Sequence, residues 1–411
     1  MGDNKHRDHA INSVPESEKR NWKKMLFIWL GWVFATSNLM AGGIAGSGLP
    51  LKQALLAIFI GSFILAIVGT LQSVTAARTG LSTYVLCRYS FGYKGSDIIS
   101  AVFSLIFVAW FGVGCNMAAE AAHAIIPINV RILALIFSCL MLTTALFGIK
   151  GLEFLSRISV PFVIVVCIWG LFIVLRDTNF AELAAKEPAE PMTFASVTVA
   201  VIGAWISGAI VSPDIARYAK SEKDAVISAG LAFVIGNSIL MWVGAIFAIA
   251  VGEWNLIKVF TGLGLGVVAF VFLIAVQWTT SDKDLYSASL GLANVLKKDD
   301  KFKITLALGG VGVLLATAGI YEYFISYLSF LGVLLPPVAG VSIVDAYFFR
   351  EKYNKAPDTI TVKYSTPAFI SWGVGILVGI IVDFGSSAIN ALIISGIVYF
   401  ILNKFMLQKT E

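Results

Sequence analysis

The feature that most constrains this chain is a succession of apolar runs, each long enough to cross a membrane. A helix needs roughly 20 apolar residues to span the hydrocarbon core of a bilayer, and runs of that length follow one another from Met25 to Met406. Charged residues make up only 13% of the chain, about half their share in soluble domains. A soluble globule of this size would need far more polar surface, so we infer that lipid surrounds most of the chain.

The apolar runs predict helices rather than strands. Strands of a membrane barrel would alternate polar and apolar residues over about ten positions, whereas these runs are apolar on all sides and rich in glycine. We therefore predict an all-α integral membrane protein with twelve transmembrane helices, at residues 25–48, 53–76, 98–122, 131–149, 155–175, 194–216, 225–251, 262–282, 304–320, 323–347, 366–384 and 386–403.

The lysines and arginines indicate how the chain is oriented. With a cytoplasmic N-terminus, 25 of the 30 basic residues lie on the inner side, and cytoplasmic loops carry such an excess of positive charge. We expect a multi-pass protein of the cell (inner) membrane with both termini in the cytoplasm. The net charge of +5 then favours contact with anionic lipid headgroups, not with nucleic acid. The basic residues left outside are Lys52, Arg131, Arg176, Lys186 and Lys258.

The polar segments define the domain organisation. Residues 1–24 are expected to form a disordered cytoplasmic tail, residues 25–405 a single transmembrane domain, and residues 406–411 a second short tail. The first apolar run is too long for a cleavable signal peptide. The inner loops at 78–97 and 282–303 are expected to hold short interfacial helices, and no segment points to an obligatory protein partner.

Reactive side chains are too few and too scattered for an enzyme. The cysteines have no paired spacing, so neither a disulfide nor a metal site is indicated. No span holds a cluster of catalytic side chains, and no nucleotide-binding Gly-Lys-Ser/Thr motif occurs. We predict no catalytic residues, no cofactor and no primary active transport. The cysteines and histidines are Cys87, Cys115, Cys139, Cys167, His6, His9 and His123.

Two spans carry the sequence signals of a broken helix. The first contains Thr-Ser-Asn followed by four glycines, and the sixth contains Gly203, Ser207-Gly208 and Ser212-Pro213. Such residues let a membrane helix unwind where it lines a protein-enclosed cavity. The two spans begin two five-helix units, 25–175 and 194–347, that enter the membrane from opposite sides, as in inverted-repeat transporters. Close helix packing at glycine is the alternative.

Two tryptophans stand in segments expected to face a central cavity. Trp110 lies in the third span, between Phe107 and Gly114, and Trp205 lies in the suspected break of the sixth. Two indoles facing one cavity would form a slot for a flat ring, because aromatic stacking is worth roughly 0.5–1.5 kcal/mol per pair beyond burial. The alternative is that both indoles only pack between helices.

The eighth span ends in a cluster of oxygen-bearing side chains. Thr279 and Thr280 share a helix face with the carbonyl of Val276, so their hydroxyls offer hard oxygen ligands to a sodium ion. The alternative needs no ion, because threonines commonly bond to a carbonyl in the preceding turn. By itself the threonine pair decides neither way.

Intramembrane carboxylates are costly and indicate function by default. Glu120, Asp282 and Asp284 fall near the ends of their predicted spans, where all three are compatible with an interfacial position. Asp282 is a candidate gating residue. A proton-coupled site would need a buried titrating group, so this placement favours sodium over the proton as the coupling ion.

Several strings occur in a fixed order from Met25 to Lys404. They are Leu81-Ser82-Thr83 through Arg88-Tyr89-Ser90-Phe91-Gly92, Trp110-Phe111-Gly112-Val113-Gly114, Asp214-Ile215-Ala216-Arg217-Tyr218, Trp278-Thr279-Thr280, and Pro336-Pro337-Val338-Ala339-Gly340 with Asp345-Ala346-Tyr347. In this order they resemble the nucleobase:cation symporter-1 family, and within it the bacterial cytosine permeases.

The resemblance implies the leucine-transporter-type fold, with a five-plus-five inverted repeat and two additional C-terminal helices at 366–403. It also implies a secondary active transporter that carries a nucleobase, cytosine first, with a cation by alternating access. The implied substrate-binding residues are Trp110 and Trp205, which sandwich the base, Ala204 and Ser207 at the helix break, and Ser281 at the ring edge. The implied sodium ligands are the carbonyls of Gly31, Phe34 and Val276 and the hydroxyls of Thr279 and Thr280.

Departures from the family pattern bear on the substrate. Cytosine permeases often carry glutamine where this chain has Phe107, and asparagines where it has Val276 and Ser281. Fewer amides would then contact the base, although Gln277 is placed to replace one contact. An apolar wall discriminates weakly between solutes, so a purine, hydantoin, allantoin or hydroxymethylpyrimidine carrier, with proton coupling open, is the alternative. A channel is a further alternative to a carrier.

Overall fold

The computed structural model describes residues 9–253, 266–298, 300–382 and 384–407, and within them the chain is helical without a β-strand. Lys258, His6, the first residues of the predicted eighth span and the last four residues lie outside these ranges. The helices, numbered in chain order, are α1 Trp22–Val33, α2 Thr36–Gly48, α3 Leu51–Thr79, α4 Thr83–Phe91, α5 Gly95–His123, α6 Val130–Ala145, α7 Gly148–Asp177, α8 Phe180–Ala185, α9 Phe194–Ile210, α10 Pro213–Ala216, α11 Glu222–Leu231, α12 Asn237–Val251, α13 Gly266–Leu296, α14 Lys301–Ala318, α15 Phe324–Leu334, α16 Pro336–Phe348, α17 Thr366–Ile381 and α18 Ser387–Leu407.

These helices confirm an all-α membrane architecture. Each predicted span overlaps a helix or a pair of consecutive helices, and eight described helices are long and apolar enough to cross a membrane, with α1 and α2 together making a further span. Large apolar side chains such as Phe154, Phe172 and Leu314 are exposed on the outside of the bundle, as lipid contact requires. The division into repeats at 25–175 and 194–347 stays a prediction.

The first span is broken, as the sequence predicts. Helices α1 and α2 meet at an angle of 60°, because Ala35 between them has extended backbone (φ −103°, ψ 148°). Asn38 Nδ2 donates a hydrogen bond of 2.6 Å to the carbonyl of Val33, which satisfies a group that the break removes from the helical ladder. The Thr-Ser-Asn sequence therefore supplies the side chain that stabilises the break.

The sixth span is helical through Gly203, Trp205 and Gly208, so the break suspected there is wrong, and the interruption comes later, at Ser212-Pro213. Helix α9 ends at Ile210 and the short α10 begins at Pro213, whose ring cannot continue the helical hydrogen-bond pattern. Ser212 Oγ donates to the carbonyl of Gly69 on α3 at 2.8 Å. This bond anchors the interruption to a neighbouring helix.

The predicted end of the eighth span is wrong. Helix α13 continues through Asp282, Lys283 and Asp284 to Leu296, so these charged residues lie inside a long helix and all three are buried. Consecutive charges ordinarily mark a membrane boundary. Here the bundle around α13 encloses them instead, and residues 282–296 of the expected interfacial loop at 282–303 continue the same helix. The other predicted inner loop does hold a short helix, α4.

The N-terminal tail is ordered from residue 9 onwards, so the expectation of disorder is wrong there. Arg20 N–H donates to the carbonyl of Tyr218 at 2.6 Å, and Lys220 N–H donates back to Arg20 at 2.9 Å. Ala10 and Val14 are buried at the junction of α3 and α4, where Val14 N–H donates to the carbonyl of Gly80 and Ser82 Oγ donates to the carbonyl of Ala10. These few apolar contacts and backbone bonds offset the entropy of ordering a polar segment.

Candidate functional site

A small cavity lies where the broken first span and α9 meet α5 and α13. Its volume is about 20 Å³, room for about one water molecule, so a larger solute can enter only if the lining side chains move apart. The lining residues are Trp32 and Ser37 from the first broken span, Phe107 and Trp110 from α5, Ala204, Trp205, Ser207 and Gly208 from α9, and Thr280 and Asp284 from α13.

The structure brings five of the seven predicted substrate-binding residues together at this cavity, namely Phe107, Trp110, Ala204, Trp205 and Ser207. The other two, Gln277 and Ser281, are not among its lining residues. They are hydrogen-bonded to each other at 3.4 Å and lie against Gly114, one turn beyond Trp110 on α5. Gln277 Oε1 is buried without a hydrogen-bond partner among the described residues.

Both tryptophans are held by a second aromatic ring. Trp110 meets Tyr327 edge to face at 5.3 Å between centroids, and the Tyr327 hydroxyl donates to the carbonyl of Ile106 at 2.6 Å. Trp205 meets Trp32 in the same way at 5.4 Å. In the described part of the chain, Trp205 Nε1 finds no acceptor although it is buried. Buried donors are rarely left unpaired, so this N–H is available to a solute.

Asp284 is the site residue that sequence reasoning placed elsewhere. It lines the cavity and is only 5% exposed, and its Oδ1 accepts a hydrogen bond of 3.4 Å from Trp32 Nε1. A carboxylate is an acceptor with room for several donors, so this wall of the cavity suits a solute that presents N–H groups. The signal that could have located it is the apolar pattern that resumes at Leu285 and extends to Leu296.

The predicted sodium ligands come from two elements, the C-terminal end of α1 and the middle of α13. Thr279 Oγ1 and Thr280 Oγ1 both donate to the carbonyl of Val276, at 2.9 and 3.1 Å. These are the back-bonds that need no ion, although a hydroxyl that donates to a carbonyl keeps lone pairs for a cation. Phe34 caps α1 at the break. Gly31, one turn earlier, lies against Ser156 of α7 and Lys283 of α13.

Asp282 lies on another face of α13. Its Oδ1 accepts a hydrogen bond of 2.9 Å from Thr144 Oγ1, and that hydroxyl accepts one of 2.7 Å from Trp278 Nε1. Asp282 is fully buried and is not among the lining residues of the cavity. Through its bond to Thr144 it joins α13 to α6. An effect of Asp282 on the cavity would therefore have to be transmitted through these helices.

Sequence comparison places the chain in a family. Residues 13–402 match the family described as permease for cytosine/purines, uracil, thiamine and allantoin. The cytosine permease of Escherichia coli K12 is 32% identical over 400 residues, which cover 97% of this chain and 94% of that protein. The chain belongs to this permease family. Within the family it is also similar to the hydantoin permease of Microbacterium maritypicum, with 23% identity over 82% of this chain and 74% of the relative.

Solved structures show the same fold. Mhp1, a nucleobase-cation-symport-1 family transporter in a closed conformation with bromovinylhydantoin bound, superposes with a TM-score of 0.85, covering 99% of this chain and 96% of Mhp1 at 19% identity. A Na+-coupled sialic acid symporter superposes with a TM-score of 0.67 over 93% of this chain and 95% of its own, at 12% identity. The permease therefore has the fold that the family resemblance implies.

Proposed function

We propose that this permease is a secondary active transporter that carries a nucleobase by alternating access, with cytosine as the leading substrate. The observation that carries the proposal is the cavity that Trp110, Trp205 and Asp284 share beside the break of the first span. Two indoles supply stacking surfaces for a flat ring. The carboxylate supplies an acceptor for its edge.

The edge contact favours cytosine on chemical grounds. Carboxylates accept hydrogen bonds from the exocyclic amino group of cytosine, and Asp284 is the carboxylate on the cavity wall. Phe107 contributes an apolar surface at the same cavity, where an amide would add a second polar contact. The alternative substrate is another flat heterocycle with N–H donors, such as a purine, hydantoin, allantoin or hydroxymethylpyrimidine.

The small size of the cavity supports alternating access. With room for about one water, the site is closed around its own side chains, and a base can reach it only after the helices part on one side. We place both termini in the cytoplasm and the chain in the cell membrane, because the basic residues concentrate on that side. Residues 1–24 and 406–411 then lie inside the cell.

The coupling ion is proposed to be a cation bound next to the base. Oxygen atoms of Gly31, Phe34, Val276, Thr279 and Thr280 form the candidate ligand set, and Thr280 also lines the cavity, which would link the ion to the solute. The sequence-based preference for sodium over the proton requires the acids to lie at the span ends. That premise does not hold, since Asp282 and Asp284 are buried within α13.

Competition for uptake tests the substrate. Purified protein in proteoliposomes would take up labelled cytosine in the presence of an excess of unlabelled cytosine, uracil, adenine, hydantoin, allantoin or hydroxymethylpyrimidine. We expect unlabelled cytosine to inhibit uptake most strongly. Stronger inhibition by another heterocycle would transfer the assignment to that compound, and inhibition by none of them would contradict a flat-ring carrier.

A further inference from the structure

A second cavity lies away from the broken first span, where α4, the loop that joins α16 to α17 and the end of α18 meet. Its volume is about 420 Å³, within the range of about 300–1,000 Å³ that ligand pockets occupy. Lys352 and Lys355 line it together with six hydroxyl-bearing residues and the amide of Asn403. No carboxylate is among its lining residues in the described part of the chain, so the lining suits an anion that accepts hydrogen bonds.

The walls of this pocket are fixed by main-chain and aromatic contacts. The N–H of Tyr93 donates to the carbonyl of Val362 at 2.9 Å, which docks the α16–α17 loop onto the turn after α4. The Tyr89 hydroxyl donates to the carbonyl of Lys355 at 2.7 Å, and its ring stacks on Tyr353 with 4.4 Å between centroids. The pocket is therefore built into the fold.

The ion pairs around the pocket leave one positive charge uncompensated. Lys352 pairs with Asp345 at 2.7 Å, and Asp358 lies 3.4 Å from the guanidinium of Arg88. Lys355 is exposed, and among the residues that the structure describes it forms no ion pair. Its ammonium is therefore available to an anion.

The pocket borders a surface that faces lipid. Phe348 on α16 and Phe405 on α18 are 67% and 65% exposed, and Asn403 on the wall of the pocket lies two residues before Phe405. Tyr364, another lining residue, is 55% exposed, as expected of a tyrosine at the level of the lipid headgroups. A phospholipid can therefore place its headgroup in the pocket and its acyl chains along α16 and α18.

We propose that this pocket binds the headgroup of an anionic phospholipid, with the ammonium of Lys355 and the surrounding hydroxyls contacting its phosphate. Basic pockets between membrane helices on the cytoplasmic side suit such headgroups, and this pocket lies at the C-terminal end of α18, on the side that we place in the cytoplasm. Free phosphate offers the same oxygens but would leave the apolar rim of Phe348 and Phe405 without a partner. The site shares no lining residue with the small cavity, so the proposal does not depend on the transported solute.

Thermal unfolding of the detergent-purified, full-length protein tests the proposal. Three probes are titrated, namely short-chain phosphatidylglycerol, phosphatidylcholine of the same chain length, and inorganic phosphate. A ligand that binds the folded protein raises its melting temperature as the ligand concentration increases. We expect a saturable rise with phosphatidylglycerol alone, because phosphatidylcholine has no net charge and inorganic phosphate has no acyl chains.

Variants of Lys355 locate the binding site. Lys355→Gln removes one positive charge and should weaken the apparent affinity for phosphatidylglycerol about fivefold, whereas Lys355→Arg should retain it. Both variants are expected to fold, because Lys355 is exposed. Lys223→Gln is the matched control, since Lys223 is an exposed lysine of α11 that does not line the pocket, and it should behave as wild type.

Each other result would overturn the proposal. Equal stabilisation by phosphatidylcholine would show that the charge of the headgroup is not recognised, and equal stabilisation by inorganic phosphate would identify a soluble anion instead of a lipid. Equal affinity of the wild type and Lys355→Gln for phosphatidylglycerol would place the lipid elsewhere, and no stabilisation by any probe would contradict binding altogether. None of these measurements uses cytosine, so a failure here is distinct from a failure of the proposed transport function.

Discussion

The indole of Trp32 packs edge to face against the indole of Trp205, with 5.4 Å between ring centroids and 76° between ring planes. Trp32 stands just before the break of the first span, and Trp205 lies within a helix that ends five residues later at Ile210. Trp32 also donates to Asp284 of α13. The broken first span, α9 and α13 are thus joined at the cavity wall, so opening the cavity must separate or rotate these rings.

Removal of either predicted stacking ring should weaken solute binding. Trp110→Ala and Trp205→Ala each lose a stacking surface together with its buried area, and we expect each to raise the Kd for cytosine by about tenfold or more. Trp169→Ala is the matched control, because Trp169 is 43% exposed on the outside of the bundle. Equilibrium binding to purified protein is the measurement, and wild-type affinity in both cavity variants would show that the indoles only pack.

Phe107 should limit how well the cavity reads a pyrimidine edge. The side chain lines the cavity and stacks on Phe103 at 6.3 Å between centroids, so an amide in its place would face the solute. We expect Phe107→Gln to improve the affinity for cytosine relative to hydantoin and purines in competition binding. Unchanged relative affinities across the panel would mean that other groups read the ring edge.

The two acids of α13 should have different effects on binding. Asp284→Asn keeps the shape but replaces one carboxyl oxygen of the cavity with an amide group, and a buried hydrogen-bonding group left without its partner costs about 1–3 kcal/mol. We therefore expect the Kd for cytosine to rise by roughly tenfold to a hundredfold. Asp282→Asn should leave the Kd near wild type and slow uptake, in keeping with a gating role. Equal losses of affinity in the two variants would contradict separate roles for Asp284 in solute binding and Asp282 in gating.

Packing of α2 against α12 should depend on one glycine. A Cβ at Gly42 would collide with the main-chain carbonyl of Met241, so Gly42→Ala must push the helices apart at a cost of about 1–3 kcal/mol. Gly310, inside α14, has nothing within 4 Å of such an atom, and Gly310→Ala should stabilise the helix by up to about 1 kcal/mol. Thermal unfolding of the purified variants compares them, and equal melting temperatures would contradict the close approach.

The sequence was sufficient for features that depend on local chemistry. The break just before Thr36-Ser37-Asn38 and the interruption before Pro213 follow from local residues, whereas the glycines expected to loosen the two spans stay inside α2 and α9. The positions of Trp110 and Trp205 on the cavity wall could also be predicted, because each lies close to a cluster of small residues. Local rules of this kind need no knowledge of the neighbouring helices.

Features that depend on tertiary surroundings could not be predicted in the same way. Asp282, Lys283 and Asp284 resemble a membrane boundary in sequence, yet α1, α6 and α7 enclose them. Gln277 and Ser281 were assigned to the solute, but the turn of α13 directs them towards α5. For these residues polarity alone was not enough to predict position, because the neighbouring helices determine which side chains are buried.

Counterflow of labelled cytosine tests the central claim most directly. Proteoliposomes that contain the purified protein are loaded with unlabelled cytosine and diluted into a trace of labelled cytosine. A carrier whose cavity opens alternately to each side exchanges one for the other, so we predict a transient accumulation of label above its equilibrium level, lost in Trp110→Ala. Label that equilibrates without such an overshoot, or that never enters, would contradict a cytosine carrier that works by alternating access.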